Sequence, residues 1–465
     1  MWSLNVIKIF NHYFHKRTLL KIGFDLSLVL VTIVIAIFFQ VADPAAASPG
    51  VLSTSLLLAL GIVFINAALG FYQRVQSCTL GQTRVRAVLS LCLSLPLAYA
   101  VLGLSPLQFV NETVLVLTLL ATLVVMLLHR TYVVHATPQP LMRQRVLVYG
   151  SGPRARLVGR ALQHSDPNVN LVGYYASPNE SSEETPAFGL LSSGKSLTDI
   201  VQQERVDEIV VALSERRGGS MPLRELLDCK LNGVRVVDMA THFEKTMGQI
   251  RRDTVSAGWL IFGEGFEQGL LRSSVKRLFD IVCACVLILI TWPIMLITAI
   301  FIKMESPGSV LYLQERVGLN GRLFNVVKFR SMCTNAEKDG QPRWAAAGDT
   351  RVTRVGRTIR KLRIDELPQL FSVLKGDMSL VGPRPERPFF VDQLTRELPY
   401  YAVRHSVKPG VTGWAQVRYH YGASVEDAAE KLQYDLYYVK NHTLFLDLVV
   451  LFETIGVVLL GKGAQ

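Results

Sequence analysis

Four apolar runs, at residues 22–39, 51–71, 87–104 and 109–128, fill the N-terminal third of the chain. Each approaches the ~20 residues that a helix needs to cross a bilayer. Four such segments in succession predict a membrane-embedded helical bundle. The flanking charges give it a side. Lys8, Lys16, Arg17 and Lys21 precede the first run, and the next loop, 40–50, has no Lys or Arg. Arg74, Arg84 and Arg86 mark the second loop, none marks the third near Ser105-Pro106, and Arg130, Arg143 and Arg145 follow the fourth run. The positive-inside rule then puts both ends of the bundle in the cytoplasm. Ala45-Ala46-Ala47 imitates a signal-peptidase site, but the apolar run before it is too long for a signal peptide, so the first run reads as a retained span. Only 18% of residues are charged, against roughly 25% in soluble domains. A net charge of +12 favours anionic partners. The six cysteines have neither zinc nor redox spacing.

From Arg145 the pattern changes. Short apolar strands at 146–149, 171–175, 208–213 and 234–238 alternate with helical stretches, which predicts a parallel sheet. The turn Gly150-Ser-Gly152-Pro-Arg-Ala155 resembles a phosphate-cradling glycine turn at a helix N-terminus. No acid ends the second strand to hold a ribose, and the chain contains no Tyr-x-x-x-Lys. A structural or regulatory Rossmann-like domain at 143–245 is therefore favoured over a dehydrogenase or epimerase. A linker, 246–273, follows and contains Trp259-Leu-Ile-Phe262.

A fifth apolar run, 281–302, is broken at its centre by Pro293, with Lys276 and Arg277 before it and Lys303 after it. A full crossing would export the basic C-terminal domain. A re-entrant hairpin avoids this, because two arms of about 11 residues rise about 16 Å each, roughly one leaflet. Proline supplies the bend by removing a helix hydrogen bond. The tail from 434 to 460 begins with the aromatics Tyr434, Tyr437 and Tyr438 and with Lys440, and its run 444–460 has Asp447 and Glu453 as its only charges; it reads as an amphipathic helix on the membrane surface.

The C-terminal domain carries dense strings: Gln314-Glu-Arg316-Val-Gly318; Phe324-Asn-Val-Val-Lys328-Phe-Arg330-Ser-Met332; Arg357-Thr-Ile-Arg360-Lys-Leu-Arg363-Ile-Asp365-Glu366-Leu-Pro368-Gln369-Leu; Gly376-Asp377-Met-Ser-Leu-Val-Gly382-Pro383-Arg384-Pro385-Glu386; and Arg404-His405 followed by Lys408-Pro-Gly410-Val-Thr-Gly413-Trp414-Ala-Gln416-Val. Leu367, Leu370, Phe371 and Leu374 recur at helical spacing and Gly376 is the stop, so Asp365 is read as an N-cap. The positive helix end would then keep its carboxylate ionised. Such a group can attack phosphorus or hold Mg²⁺. A capping Asp with a first-turn Glu is equally ordinary in any helix. What favours chemistry is the surrounding cations, Arg357, Arg360, Lys361 and Arg363, together with an Arg fixed between two prolines. Both suit a diphosphate whose transfer depends on positioning and charge neutralisation.

These strings, from 274 to the C-terminus, resemble the bacterial polyprenyl-phosphate hexose-1-phosphate transferases that initiate exopolysaccharide and O-antigen assembly. The upstream bundle and α/β domain resemble the long subclass, and Trp259-Leu-Ile-Phe262 resembles a branch tied to exopolysaccharide export. The resemblance implies a membrane α plus α/β architecture: a four-span bundle at 1–135, a Rossmann-like cytoplasmic domain, and a monotopic catalytic domain at 274–465 with a re-entrant helix at 281–302. It implies a multi-pass protein of the bacterial cytoplasmic membrane with its catalytic face inside. Asp365 would be the nucleophile on a UDP-sugar, releasing UMP and passing the phospho-sugar to undecaprenyl phosphate. Glu366 would be its partner, with Mg²⁺ as cofactor held by Asp365 and Glu366. Lys328, Arg330, Arg360, Arg384, Arg404 and Gln416 would bind substrate. Many relatives carry Ser before the hairpin proline, where Trp292 stands here. Glucose, galactose and their amino derivatives all remain open as the sugar. A homodimer is a reasonable assembly that no residue specifies. Nucleic acid is not expected, because the basic residues interleave with acids, glycines and prolines. Two rival readings remain: a nucleotide-sugar oxidoreductase built on the Rossmann-like domain, and a non-enzymatic scaffold.

Overall fold

A computed structural model describes residues 6–9, 12–40, 49–69, 71, 80–103, 144–165, 169–177, 190–191, 196–213, 221–255, 260–261, 265–266, 269–333, 351–419, 422 and 424–459. The chain divides into two compact units at Met247/Gly248.

In the first unit, three apolar runs form helices α1 (Lys16–Gln40), α2 (Pro49–Ala68) and α3 (Leu80–Gly103). The run expected at 109–128 lies outside the described residues. Val29, Leu58, Ala59, Ile62 and Ala98 pack between the helices. The polar interruption at Asn66 is explained by its neighbour, since Ser90 donates its hydroxyl to Asn66 Oδ1 at 2.8 Å. Such an interhelical bond satisfies a polar group where lipid cannot.

The same unit holds strands β1 (Gln144–Tyr149), β2 (Val169–Tyr175), β3 (Leu190–Leu191), β4 (Glu208–Val211) and β5 (Arg235–Asp238) in one sheet, order β3-β2-β1-β4-β5, every pair parallel. Side chains alternate along β1, so Val146 and Val148 enter one apolar cluster while Leu147 and Tyr149 enter another on the opposite face. Helices α4 (Pro153–Ser165) and α7 (Met239–Met247) cover the first face; α5 (Leu197–Gln203) and α6 (Leu223–Leu231) cover the second. The sheet is thus doubly wound. Gly150 has φ 130°, a conformation suited to glycine, at the turn from β1 into α4.

The second unit begins earlier than the sequence reading placed it. Ile250 is buried in its core and donates its backbone N–H to Gln433 O at 2.9 Å. Trp414 donates its indole N–H to Gly248 O at 2.7 Å. Residues 248–255, the first part of the segment read as a linker, are therefore packed structure.

Helix α8 (Leu270–Glu305) contains the fifth apolar run and is helical throughout, with Pro293 inside it. Among the described residues it is the one helix long and apolar enough to cross a membrane. Its two ends are both fastened to the second unit. Near its start, Lys276 pairs with Asp447 at 2.7 Å, Arg277 donates to the carbonyls of Val373 and Leu374, and Asp280 accepts from Leu380 N–H. At its end, Glu305 accepts from Arg354 N–H at 2.7 Å, and Arg330 donates to the carbonyls of Ser306 and Pro307. Leu289, Trp292 and Ile297 between these ends are exposed. Thr291, beside Trp292, donates its hydroxyl to Leu287 O at 2.7 Å.

After α8 come the antiparallel strands β6 (Leu311–Val317) and β7 (Leu323–Phe329), helices α9 (Arg354–Lys361) and α10 (Gln369–Lys375), strand β8 (Ser379–Val381), α11 (Pro388–Glu397), strand β9 (Gly410–Thr412), and α12 (Trp414–Arg418), α13 (Val425–Asn441) and α14 (Leu444–Leu459). The acids of the tail face inward: Asp447 accepts from Tyr438 OH at 2.6 Å, and Glu453 pairs with Arg418 at 2.6 Å. Leu448, Ile455 and Val458 face outward.

Two of the dense strings meet as the parallel pair β8–β9, with Ser379 opposite Gly410 and Val381 opposite Thr412. Glycine is required there by close backbone approach. A Cβ at Gly382 would collide with the Lys408 carbonyl, and one at Gly413 with the Gly382 carbonyl. Gly382→Ala should therefore lower stability by about 1–3 kcal/mol, because main chain cannot swing aside as a side chain can. Thermal unfolding of the detergent-solubilised protein, which should shift to lower temperature, checks this.

Candidate active site

Four elements of the second unit converge on one buried carboxylate. Strand β7 supplies Lys328, which stands opposite Tyr312 of β6. Helix α9 starts at Thr353, whose side chain accepts from Gly356 N–H, and it ends with Arg360 and Lys361 in its last turn. The chain then reverses through Arg363, which adopts φ 58°, ψ 17°. This left-handed conformation is uncommon for a residue with a Cβ. A 3₁₀ turn, Ile364–Glu366, follows and carries the acid pair. The Gly382-Pro-Arg-Pro loop after β8 supplies Arg384.

The pair is strongly polarised. Glu366 is 8% exposed. Its Oε1 accepts from Lys328 Nζ at 3.0 Å and from Arg384 Nη2 at 2.9 Å, while Oε2 lies 3.8 Å from Arg363 Nη1. Burial alone would raise its pKa, but Lys328, Arg384 and Arg363 overcome this and hold it well below the usual carboxylate range. Burial pushes the Lys328 ammonium down, against the pull of Glu366. Asp365 is equally buried, and among the described residues no hydrogen bond or ion pair engages its carboxylate. Burial, then the charge of Glu366, raises its pKa to about 6, with Lys328, Arg384 and Arg360 pulling the other way.

Asp365 is not an N-cap. Pro368 occupies that position of α10, and Asp365 belongs to the separate 3₁₀ turn. The proposed source of its ionisation, a helix end, is therefore replaced by a ring of cations. Gly376 does stop α10, at φ 102°.

The expected binding residues fall into two groups. Lys328 and Arg384 contact the dyad directly, and Arg360 acts on Asp365 through charge. Arg330 is committed instead to the carbonyls at the end of α8. Arg404 is 5% exposed and bonded to Asp435, Tyr401 OH and Arg384 O. Gln416 lies on α12, after β9, with its Oε1 buried and its amide 3.5 Å from Val411 O. Asp435 escaped the sequence reading. Its signal was an acid on the face of α13 that also carries Leu432, Leu436 and Val439, all buried.

Among the described residues no group of three or more His, Cys, Asp or Glu side chains could enclose a metal. Mg²⁺ commonly takes only one or two carboxylates and completes its octahedron with water and substrate phosphate. Asp365, unengaged and beside the cations, fits such a site. Glu366 does not fit as a second ligand, because Oε1 already accepts two N–H donors and Oε2 faces Arg363.

Comparison with known proteins bears on this geometry. Residues 271–461 match a family described as bacterial sugar transferase. The UDP-N-acetylgalactosamine-undecaprenyl-phosphate N-acetylgalactosaminephosphotransferase of Aeromonas hydrophila is 45% identical over 261 residues, which cover 56% of this chain and 61% of that protein. The undecaprenyl-phosphate glucose phosphotransferase of Komagataeibacter xylinus is 45% identical over 185 residues, 39% of this chain and 35% of that protein. The UDP-glucose:undecaprenyl-phosphate glucose-1-phosphate transferase of Xanthomonas campestris pv. campestris is 31% identical over 335 residues, 70% of this chain and 68% of that protein. The chain thus spans less than two thirds of the first two relatives and just over two thirds of the third. With a family match over the unit that carries the dyad and a relative aligned across most of both lengths, the chain belongs to the bacterial sugar transferase family.

Proposed function

We propose that this protein transfers a sugar-1-phosphate from a UDP-sugar to undecaprenyl phosphate, with Asp365 as the nucleophile. The observation that carries this reading is the asymmetry of the dyad. Glu366 is saturated by Lys328 and Arg384, so Asp365 is the carboxylate left to react. In the first half-reaction an Asp365 oxygen bonds to the sugar-linked phosphorus while the bond from that phosphorus to the bridging oxygen breaks. UMP leaves with the electron pair. In the second, an oxygen of the polyprenyl phosphate bonds to the same phosphorus and the aspartyl bond breaks, restoring the carboxylate. Lys328, Arg384 and Arg360 neutralise phosphate charge, which is most of what phosphoryl transfer asks of a protein. A pKa near 6 leaves Asp365 largely ionised at neutral pH yet poorly solvated, and so reactive. Mg²⁺, when bound at Asp365, would add charge neutralisation at phosphate oxygens.

The same reading places α8 as a re-entrant element and the second unit on the cytoplasmic face of a multi-pass protein. Support comes from the fastening of both ends of α8 to one unit, with its exposed apolar middle between them. A helix that crossed the bilayer would separate those ends by the ~30 Å of hydrocarbon.

Three outcomes follow from these arguments. Membranes supplied with undecaprenyl phosphate should release UMP from one or more of a panel of UDP-sugars that includes UDP-glucose and UDP-N-acetylgalactosamine, and Asp365→Asn should abolish the release. An Asp365→Asn enzyme that still turns over would remove Asp365 as nucleophile.

The same variant should be more stable than the parent at neutral pH without metal. The folded-state pKa of Asp365 lies above its unfolded value of 3.8, so the parent loses stability as pH rises from about 4 through about 6. The advantage of Asn should be complete above that window and vanish below it, as read from melting temperatures across pH.

Single cysteines introduced at Ser273 and Ser309, in a background lacking the native ones, should both react with a membrane-impermeant thiol reagent from the cytoplasmic side. Labelling from opposite sides would establish a crossing helix.

A further inference from the structure

The loop that carries Arg384 is held almost wholly by its carbonyls. Pro383 and Pro385 have no N–H to donate. Four consecutive carbonyls compensate. Pro383 O accepts from Gly410 N–H at 3.0 Å, Arg384 O from Arg404 Nη2 at 2.8 Å, Pro385 O from Arg316 Nη1 at 2.9 Å, and Glu386 O from Val317 N–H at 2.9 Å. Two of these anchors are main chain of neighbouring strands. The other two are arginine side chains, and the one on Arg384 itself is Arg404.

Arg404 has no contact with the dyad, yet all three of its nitrogens are used. Nε and Nη2 meet Asp435 Oδ2 at 2.9 and 2.8 Å, Nη1 donates to Tyr401 OH at 3.0 Å, and Nη2 also reaches Arg384 O. The side chains of Arg404 and Asp435 are 5% and 3% exposed. A pair this buried is an expensive way to stabilise a fold, since apolar side chains of similar volume do as well or better. What apolar side chains cannot do is donate to a carbonyl and fix its direction. At the other end of the same residue, Arg384 Nη2 lies 2.9 Å from Glu366 Oε1.

We propose that Asp435, through Arg404, is a positioning residue that sets the backbone of Arg384 and thereby aims its guanidinium at Glu366 and at the phosphates bound beside it. The acid on α13 orients Arg404, and Arg404 holds the Arg384 carbonyl, so the backbone from which the guanidinium reaches Glu366 is fixed in place. This inference rests on the dyad reading above and assigns Arg404 a place behind the site rather than on the substrate.

The test is a double-mutant cycle in the full-length enzyme, in membranes with undecaprenyl phosphate and whichever UDP-sugar of the panel gives UMP. Asp435→Asn alone should raise the donor KM and lower kcat/KM by roughly tenfold or more, the scale of a bond to a charged group. Arg384→Gln should do the same or worse. Combined, the two should be no worse than Arg384→Gln alone, because a residue that acts through another has nothing left to act on once that residue is gone. Fold-losses that multiply would overturn the proposal, as would an Asp435→Asn enzyme with unchanged KM. KM is the decisive reading, because a fraction of misfolded enzyme lowers apparent kcat and leaves KM alone. If Asp435→Asn does not fold, Arg404→Lys, which keeps the charge facing Asp435 and gives up the planar fork, enters the same cycle with the same two outcomes. Activity surviving Asp365→Asn would sink the dyad reading; a dead Asp365→Asn enzyme with multiplying losses would sink only the role of Asp435.

Discussion

The segments that surround the acid pair in the second unit are arranged around the burial of the Glu366 carboxylate. Taking one charge out of water costs several kcal/mol even after relaxation. The structure offsets that cost with Lys328 from β7, Arg384 from the proline-flanked loop and Arg363 from the turn after α9. Three segments far apart in sequence are thereby tied to one oxygen pair. The neighbouring Asp365 inherits the consequence: it sits in the same dry setting, shares the cations at a distance, and its carboxylate has no bond among the described residues.

The frame that keeps these segments in place is itself built from polar contacts to main chain. Arg277 closes the C-terminal end of α10, Glu305 closes the N-terminal end of α9, and Arg330 closes the end of α8. Each is a charged side chain on an orphan helix-end group, which needs a partner when buried. The long apolar helix is thus connected at both ends to the helices that flank the acid pair.

Much of this was legible in the chain, and the failures have physical causes. Strand positions 146–149 and 171–175 and the stop at Gly376 followed from periodicity and glycine, and the gathering of cations about Asp365-Glu366 from local charge. The N-cap assignment failed because Pro368 stands between the acids and the helix, and proline begins a helix more readily than it continues one. Arg330 and Arg404 were expected on substrate from the family resemblance, and an arginine fork does suit phosphate. The same fork suits a pair of carbonyls, and sequence does not distinguish the two. The packed character of residues 248–255 was hidden because Ile250 and Gly248 find partners, Gln433 and Trp414, more than 160 residues away. Asp435 was readable in principle as an acid among apolar helix positions, but only the fold shows that Arg404 lies opposite.

Arg363 draws these themes together. A glycine would take its left-handed backbone at no steric cost, but it would remove one of the three cations that offset the burial of Glu366. The chain keeps an arginine in that conformation, beside an aspartate whose ionisation the fold resists. The left-handed backbone at Arg363 and the desolvated carboxylate of Asp365 each cost stability. On the proposed reading, selection for heat tolerance alone would erode Asp365 first, yielding a sturdier molecule with an idle centre.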